Sequence, residues 1–249
     1  MKWRALSTGQ LGWLLCTPAL LGMLLVAAYP VLYAMWLSLF QYDLRFPDRR
    51  LFVGWDNYLS VLGSAVWWQA LGNTLLITLS SVLLELLLGL LFALLMHRAL
   101  FLRRTLRTAV LVPYAIITVV AALAWKFAFD PVSGFVSPLF GVEQAWLSER
   151  WSALLVIVLS EVWKTTPFVA LLLLAGLAQV PQDLLDAARV DGAGPLQRFW
   201  HITLPMMRPA ILVALLFRTL DALRIFDMVF VQTRGAQGTE TLSIVAYHA

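Results

Sequence analysis

Between positions 70 and 96 the sequence contains one ionisable side chain, Glu85, in a run that is otherwise apolar or weakly polar. As a helix at 1.5 Å per residue such a run is about 40 Å long, more than the roughly 30 Å hydrocarbon core of a bilayer. Inside lipid a segment must satisfy its own backbone hydrogen bonds, so the run reads as a membrane-spanning helix. Four more segments read the same way, at about residues 11–39, 105–129, 152–178 and 210–231. The fold class that follows is an all-α polytopic membrane protein, a helical bundle of five spans.

Composition removes the soluble alternative. Of 249 residues, 61% are hydrophobic and 13% charged, whereas a soluble domain is roughly 45–50% apolar and about 25% charged. The net charge of +4 would suit a nucleic-acid partner, but the basic residues are dispersed in short loops, so no nucleic acid is expected. The single cysteine, Cys16, excludes an internal disulfide and a cysteine-based zinc cluster and reads as packing. The first apolar run, behind Lys2 and Arg4, far exceeds a signal core of roughly 7–15 residues. It reads as a retained span in which Pro18 and Pro30 can kink the helix.

Two regions follow: residues 1–69, the first span and an external loop, and residues 70–249, spans two to five with a polar interval at 180–209. With the amino terminus inside, cytoplasmic segments hold Lys2, Arg4, Arg98, Arg103, Arg104, Arg107, Arg189, Arg198 and Arg208. External loops then hold Arg45, Arg49, Arg50, Arg150 and Arg234. The positive-inside rule favours that orientation, which makes 180–209 cytoplasmic.

Charges inside spans cost about 2.5–3.5 kcal/mol each on insertion scales, so each needs a partner or a wet cavity. The fifth span carries Arg218, Asp221, Arg224 and Asp227, spaced by three and alternating in sign. Neighbours can pair along the helix, yet steps of three rotate by about 60° and cannot all face one cavity. The fourth span carries Glu161, Trp163, Lys164, Thr165, Thr166 and Pro167. Glu161 and Lys164 are placed to pair at i,i+3. Trp163 offers a flat apolar face beside hydroxyls, which suits a sugar ring, though helix packing at a proline kink would use it equally well. Glu85 is expected to face the bundle interior in a structural hydrogen bond. Lys126 and Asp130 are expected to pair locally.

The interval 180–209 reads as a short helix, a turn and a second helix. Pro181 and Asp183 open the first, with Leu184, Leu185, Ala187 and Ala188 as its apolar side; Gly192, Gly194 and Pro195 stop it; the second, from Leu196 to Ile202, ends at Pro205. Asp186-Ala187-Ala188, Asp191-Gly192-Ala193, Phe199, Ile202, Leu204 and Pro205 together resemble the EAA loop of binding-protein-dependent ABC importer permeases. The family usually opens that motif with glutamate; Asp186 is one methylene shorter. Residues 161–168, Leu174 to Leu177, and Phe217-Arg218 through Asp227 resemble sugar-importer permeases of the trehalose and maltose type.

That resemblance implies a type I importer fold, in which the family usually has a sixth span where five are read here. It assigns Asp186, Ala187, Ala188, Arg189, Asp191 and Gly192 to docking on an ATPase. It assigns Glu161, Trp163, Lys164, Arg218, Asp221, Arg224 and Asp227 to the substrate path. It implies a second, different permease subunit, two ATPase subunits that carry ATP and Mg, and an extracytoplasmic solute-binding protein that meets the loop Thr233 to Ser243. The setting implied is the bacterial inner membrane. The chain itself shows no phosphate loop, no HExxH, no GxSxG and no metal-spaced Cys/His set, so no cofactor and no catalysis are expected of it. The competing reading is an independent intramembrane protein, a proton relay, secondary carrier or enzyme built on the Arg218 to Asp227 ladder.

Overall fold

The computed structural model of the chain describes residues 7–42, 50–98, 103–141 and 144–248. Lys2, Arg4, Arg45 and Arg49 of the orientation count lie outside the described residues. Two compact units result, Met1–Ala65 and Val66–Ala249.

In the first unit, α1 (Thr8–Met23), a π turn (Leu24–Ala28) and α2 (Tyr29–Leu37) run on as one apolar rod. Ser7 and Gln10 form a reciprocal capping box at its start. The helix carries Pro18 without interruption, while the kink expected at Pro30 takes the form of the π turn just before it. A proline lacks the N–H and its ring crowds the carbonyl four residues back; one widened turn, with Tyr29 N–H bonded to Leu24 O, relieves that crowding. The loop beyond holds an antiparallel pair, β1 (Phe40–Tyr42) with β2 (Arg50–Phe52), in which Phe40 stands opposite Phe52 with ring centroids 5.3 Å apart. From α3 (Asp56–Gly63), Asn57 donates to the carbonyls of Ser38 and Phe40 and fixes the chain's exit from the rod.

The second unit opens with α4 (Ala65–Arg98), followed by α5 (Arg103–Ala115), α6 (Thr118–Ala128), the short α7 (Val136–Phe140) and α8 (Arg150–Leu177). After it come α9 (Gln182–Val190), α10 (Pro195–Arg198), a second π turn (Phe199–Thr203), α11 (Leu204–Met206), α12 (Arg208–Ala222), α13 (Asp227–Gln232) and α14 (Leu242–His248). Among the described residues three helical stretches are long and apolar enough to cross a bilayer alone, Gly9–Leu37, Ala65–His97 and Arg150–Leu177, and two bent pairs, each counted as one span, bring the number to five. The axis of the unit is α8: 72% of its apolar window is buried, against 33% for α4.

Two expected spans are not straight. The third is broken, with Thr108–Ala115 and Thr118–Ala128 meeting at 93°. Pro113 weakens the helix from within, and at Ile117 (φ −57°, ψ 135°) the backbone is extended. The fifth is broken as well. It ends at Ala222, passes through an irregular stretch that includes Phe226 (φ −135°, ψ −63°), and resumes at Asp227. The second loop helix also differs from expectation. It does not end at Pro205, because the π turn at Phe199–Thr203 carries it past that proline to Met206, after which the chain bends by 63° into α12.

Small residues set the helix spacing around α8. A Cβ placed on Gly176 would lie 2.5 Å from the Ala210 Cβ of α12, whereas one on Gly72 would meet nothing within 4 Å. Gly176→Val is therefore expected to lower the thermal stability of the purified chain by about 1–3 kcal/mol through overpacking. Gly72→Ala should leave it unchanged or slightly raised, and differential scanning fluorimetry in detergent reads both.

Candidate functional site

The two breaks line one cavity of about 450 Å³. Tyr114 and Thr118 come from the break in the third span, Arg224 to Met228 from the break in the fifth, and Glu161, Lys164 and Thr165 from α8 form a wall between them. A broken helix releases backbone carbonyls that lipid cannot satisfy, so such breaks persist only where protein or water satisfies them. Lys164 does this at the third span. The residue is 8% exposed, and its ammonium donates to Ile116 O at 2.6 Å and to Tyr114 O at 3.5 Å and lies 5.8 Å from the Tyr114 ring centroid. The pairing of Lys164 with Glu161 expected from their spacing does not form, because the carbonyls of the break hold the lysine. Lys164→Met should leave both carbonyls unpaired and cost about 1–3 kcal/mol, read as a lower unfolding temperature, with Lys164→Arg restoring part of it.

Glu161 turns instead to Arg218, which is 2% exposed and enclosed by three carboxylates. Arg218 Nε donates to Glu85 Oε2 at 2.5 Å, Nη2 to Glu85 Oε1 at 2.9 Å and to Glu161 Oε1 at 3.1 Å, and Nη1 to Asp221. Thr165 Oγ1 adds a bond to Glu85 Oε1 at 2.7 Å. The planar fork of arginine engages Glu85 bidentately, the strong form of this contact. The cage joins α4, α8 and α12 through residues 133 and 57 positions apart. Glu85 does face the interior, as its isolation in the sequence implied; its part as the main partner of Arg218 did not show there.

The remaining predicted residues divide. Within the ladder, Arg218 pairs with Asp221, but Arg224 lies within the break and Asp227 at the start of the helix after it; both are exposed, line the cavity, and have no ion pair among the described residues. Trp163 is on another side of α8, outside the cavity lining, 39% exposed and edge-on to Trp125 at 6.0 Å. The aromatic surfaces in the cavity belong to Tyr114 and Phe226. The expected Lys126–Asp130 pair is also replaced. Lys126 Nζ donates to Val231 O at 3.2 Å, while the Asp130 carboxylate accepts from the backbone and side chain of Ser133 and the backbone of Val132. Those donors, the Ser133 N–H first, hold its carboxyl below the usual carboxylate range.

The loop Thr233 to Ser243 is a built turn. Arg234, Gly235, Gln237 and Gly238 all have positive φ, and Asn73 of α4 donates to the carbonyls of Gly238 and Glu240, both at 2.8 Å. Arg150 Nη2 in turn fixes the Asn73 amide at 2.9 Å.

At the other polar interval, α9 and α10 form the expected two-helix loop. Leu185 packs on the core and Ala188 is half-buried, while Leu184, Asp186, Ala187, Arg189 and Val190 face outward. Gly192 stands at φ +82°; its N–H bonds to Arg189 O and that of Ala193 to Ala188 O, a Schellman closure of α9. Asp186 and Arg189 form an exposed pair at 3.4 Å, a contact worth little in water. Ala188, Asp191 and Gly192 border a shallow concavity of about 510 Å³ on the loop's surface.

An apolar helical bundle whose broken helices enclose a charged cavity, with an exposed helical loop at one end, is a membrane transport protein by architecture. More narrowly, the chain belongs to the family described as binding-protein-dependent transport system inner membrane component, which residues 85–244 match. It is 50% identical over 238 residues to the trehalose transport system permease protein SugA of Mycobacterium tuberculosis, covering 96% of this chain and 78% of that one. To the trehalose/maltose transport system permease protein MalF of Thermococcus litoralis it is 42% identical over 239 residues, covering 94% and 81%. Its fold is similar, at a TM-score of 0.78 and 22% identity, to a chain in the crystal structure of a bacterial ABC transporter involved in the import of the acidic polysaccharide alginate, covering 96% of this chain and 83% of that one. The type I importer permease fold is thus the fold of this chain, and its place is a membrane, as a translocation component rather than an enzyme. The independent relay or intramembrane enzyme finds no support, and its charge ladder is interrupted by the break at residues 223–226.

Proposed function

We propose that the chain carries a sugar, trehalose or a related disaccharide, through the cavity between its two broken helices by ATP-driven alternating access. The observation that supports this most is the cavity itself: about 450 Å³, with the carboxylates of Asp221 and Asp227 and the guanidinium of Arg224 beside the rings of Tyr114 and Phe226. Sugars need hydrogen-bonding groups at their edges and apolar contact on their faces. The half-identical relative named for trehalose transport gives the substrate class.

On this reading the chain pairs with a second, different permease subunit. Two ATPase subunits, binding ATP and Mg, dock on residues 180–209 at Asp186, Ala187, Ala188, Arg189, Asp191 and Gly192. A solute-binding protein delivers the sugar at the opposite face, against the clamped loop Thr233 to Ser243. The relative solved with an alginate pentasaccharide-bound periplasmic protein is organised with such a partner. The amino terminus is cytoplasmic, the membrane the bacterial inner membrane, and ATP closure tilts the loop and with it the helices that hold the Arg218 cage.

The test is uptake of labelled trehalose by proteoliposomes containing the assembled importer. Phe226→Ala should raise the half-saturation concentration at least severalfold, while Trp163→Ala, outside the cavity, should alter it less. Equal effects of the two would remove Phe226 from the path.

A further inference from the structure

A second cavity, of about 340 Å³, lies between the docking loop and the ends of α4 and α8. His97, Arg189 and Arg198 line it, and among the described residues no carboxylate does. Arg198 Nε is buried without a hydrogen-bond partner among the described residues, an arrangement that costs stability unless something accepts the bond. Among the described residues Arg189 is held by Asp186 alone, in a pair of which most is in solvent, so its guanidinium is free to turn. Gln182 and Thr203 add neutral donors to the lining, and Leu177 and Val180 add apolar surface. Two guanidinium forks and an imidazole around a void at the end of two apolar helices match one ligand chemistry, an oxyanion with several acceptor oxygens.

We propose that this cavity binds a phosphate-bearing anion, seated on Arg198 and His97 beneath the docking loop. Occupancy would fix α9 and α10 against α4 and α8, and so set how rigidly the loop transmits motion. The phosphate could belong to a lipid headgroup or to a soluble phosphate ester. The proposal stands on this cavity alone and is independent of which solute the importer carries.

The chain is purified in neutral detergent with whatever subunits accompany it and placed in phosphatidylcholine nanodiscs. One arm titrates inorganic phosphate by calorimetry; the other adds phosphatidylglycerol to the nanodiscs and counts retained lipid by native mass spectrometry. Saturable binding is expected in at least one arm, weakened at least tenfold by Arg198→Gln and less by Arg198→Lys. Binding of inorganic phosphate without retained phosphatidylglycerol assigns a soluble source, and retained phosphatidylglycerol assigns a headgroup. No saturable binding in either arm, or equal binding by wild type and Arg198→Gln, overturns the proposal. Should Arg198→Gln fail to fold, His97→Gln makes the same comparison, with severalfold weakening expected and unchanged binding contradictory.

Discussion

Replacing Arg218 with methionine is expected to destabilise the chain by about 3–5 kcal/mol, enough to remove most folded protein from the membrane fraction. The methionine fills much of the same volume, so the loss is electrostatic: Glu85 is fully buried and Glu161 nearly so, and each would be left facing the other without its counter-ion. The double variant Arg218→Met, Glu85→Gln should recover a large part of that loss, since the amide can still accept from Thr165 while carrying no charge. Recovery in the double variant identifies the cage as a charge balance; a double variant no better than the single would mean that the arginine acts by shape. Unfolding temperature in detergent and the yield of monodisperse chain are the two readouts.

The second large effect is expected at the loop proposed to dock the ATPase, and in function rather than stability. Asp186 and Arg189 are mostly in solvent, so Asp186→Ala should change stability by less than about 1 kcal/mol. Gly192→Val puts a β-branched side chain at φ +82°, which costs roughly 1–2 kcal/mol locally and undoes the Schellman closure of α9. The double variant Asp186→Ala, Gly192→Val is expected to keep the membrane bundle and its melting temperature nearly unchanged, because the loop end is exposed. Transport-coupled ATP hydrolysis should fall at least tenfold. Full coupled hydrolysis in that variant would show that the partner docks elsewhere.

How much of this was legible in the sequence depends on the distance over which each feature is decided. The spans follow from hydropathy, a local property, and α8 at Arg150–Leu177 lies within two residues of the segment expected from it. The loop at residues 180–209 was legible because glycine and proline act locally: Gly192 ends α9 where the sequence predicts. The breaks were not, because hydropathy runs on unchanged through Ile116 and Ile117, and the signal at Pro113 is one that an unbroken span such as α1 tolerates at Pro18.

The charges show the same limit. Spacing by three predicts the Arg218–Asp221 contact, which lies within one helix. It fails for Glu161 with Lys164 and for Arg224 with Asp227, where groups remote in sequence, the carbonyls of one break and the geometry of the other, decide the outcome. Glu85 illustrates the case from the opposite side. A lone carboxylate in a span must have a partner, but nothing near it in sequence says that the partner is 133 residues away.

The most direct measurement is ATP-dependent uptake of labelled trehalose into proteoliposomes by the assembled importer, comparing wild type with Arg224→Ala and Asp227→Ala. These two side chains line the cavity and make no ion pair among the described residues, so neither variant should impair assembly. Uptake that requires ATP and falls at least tenfold in both variants, with subunit composition unchanged, is the predicted result. Uptake at the wild-type rate in both would place the path outside the cavity between the broken helices and contradict the account.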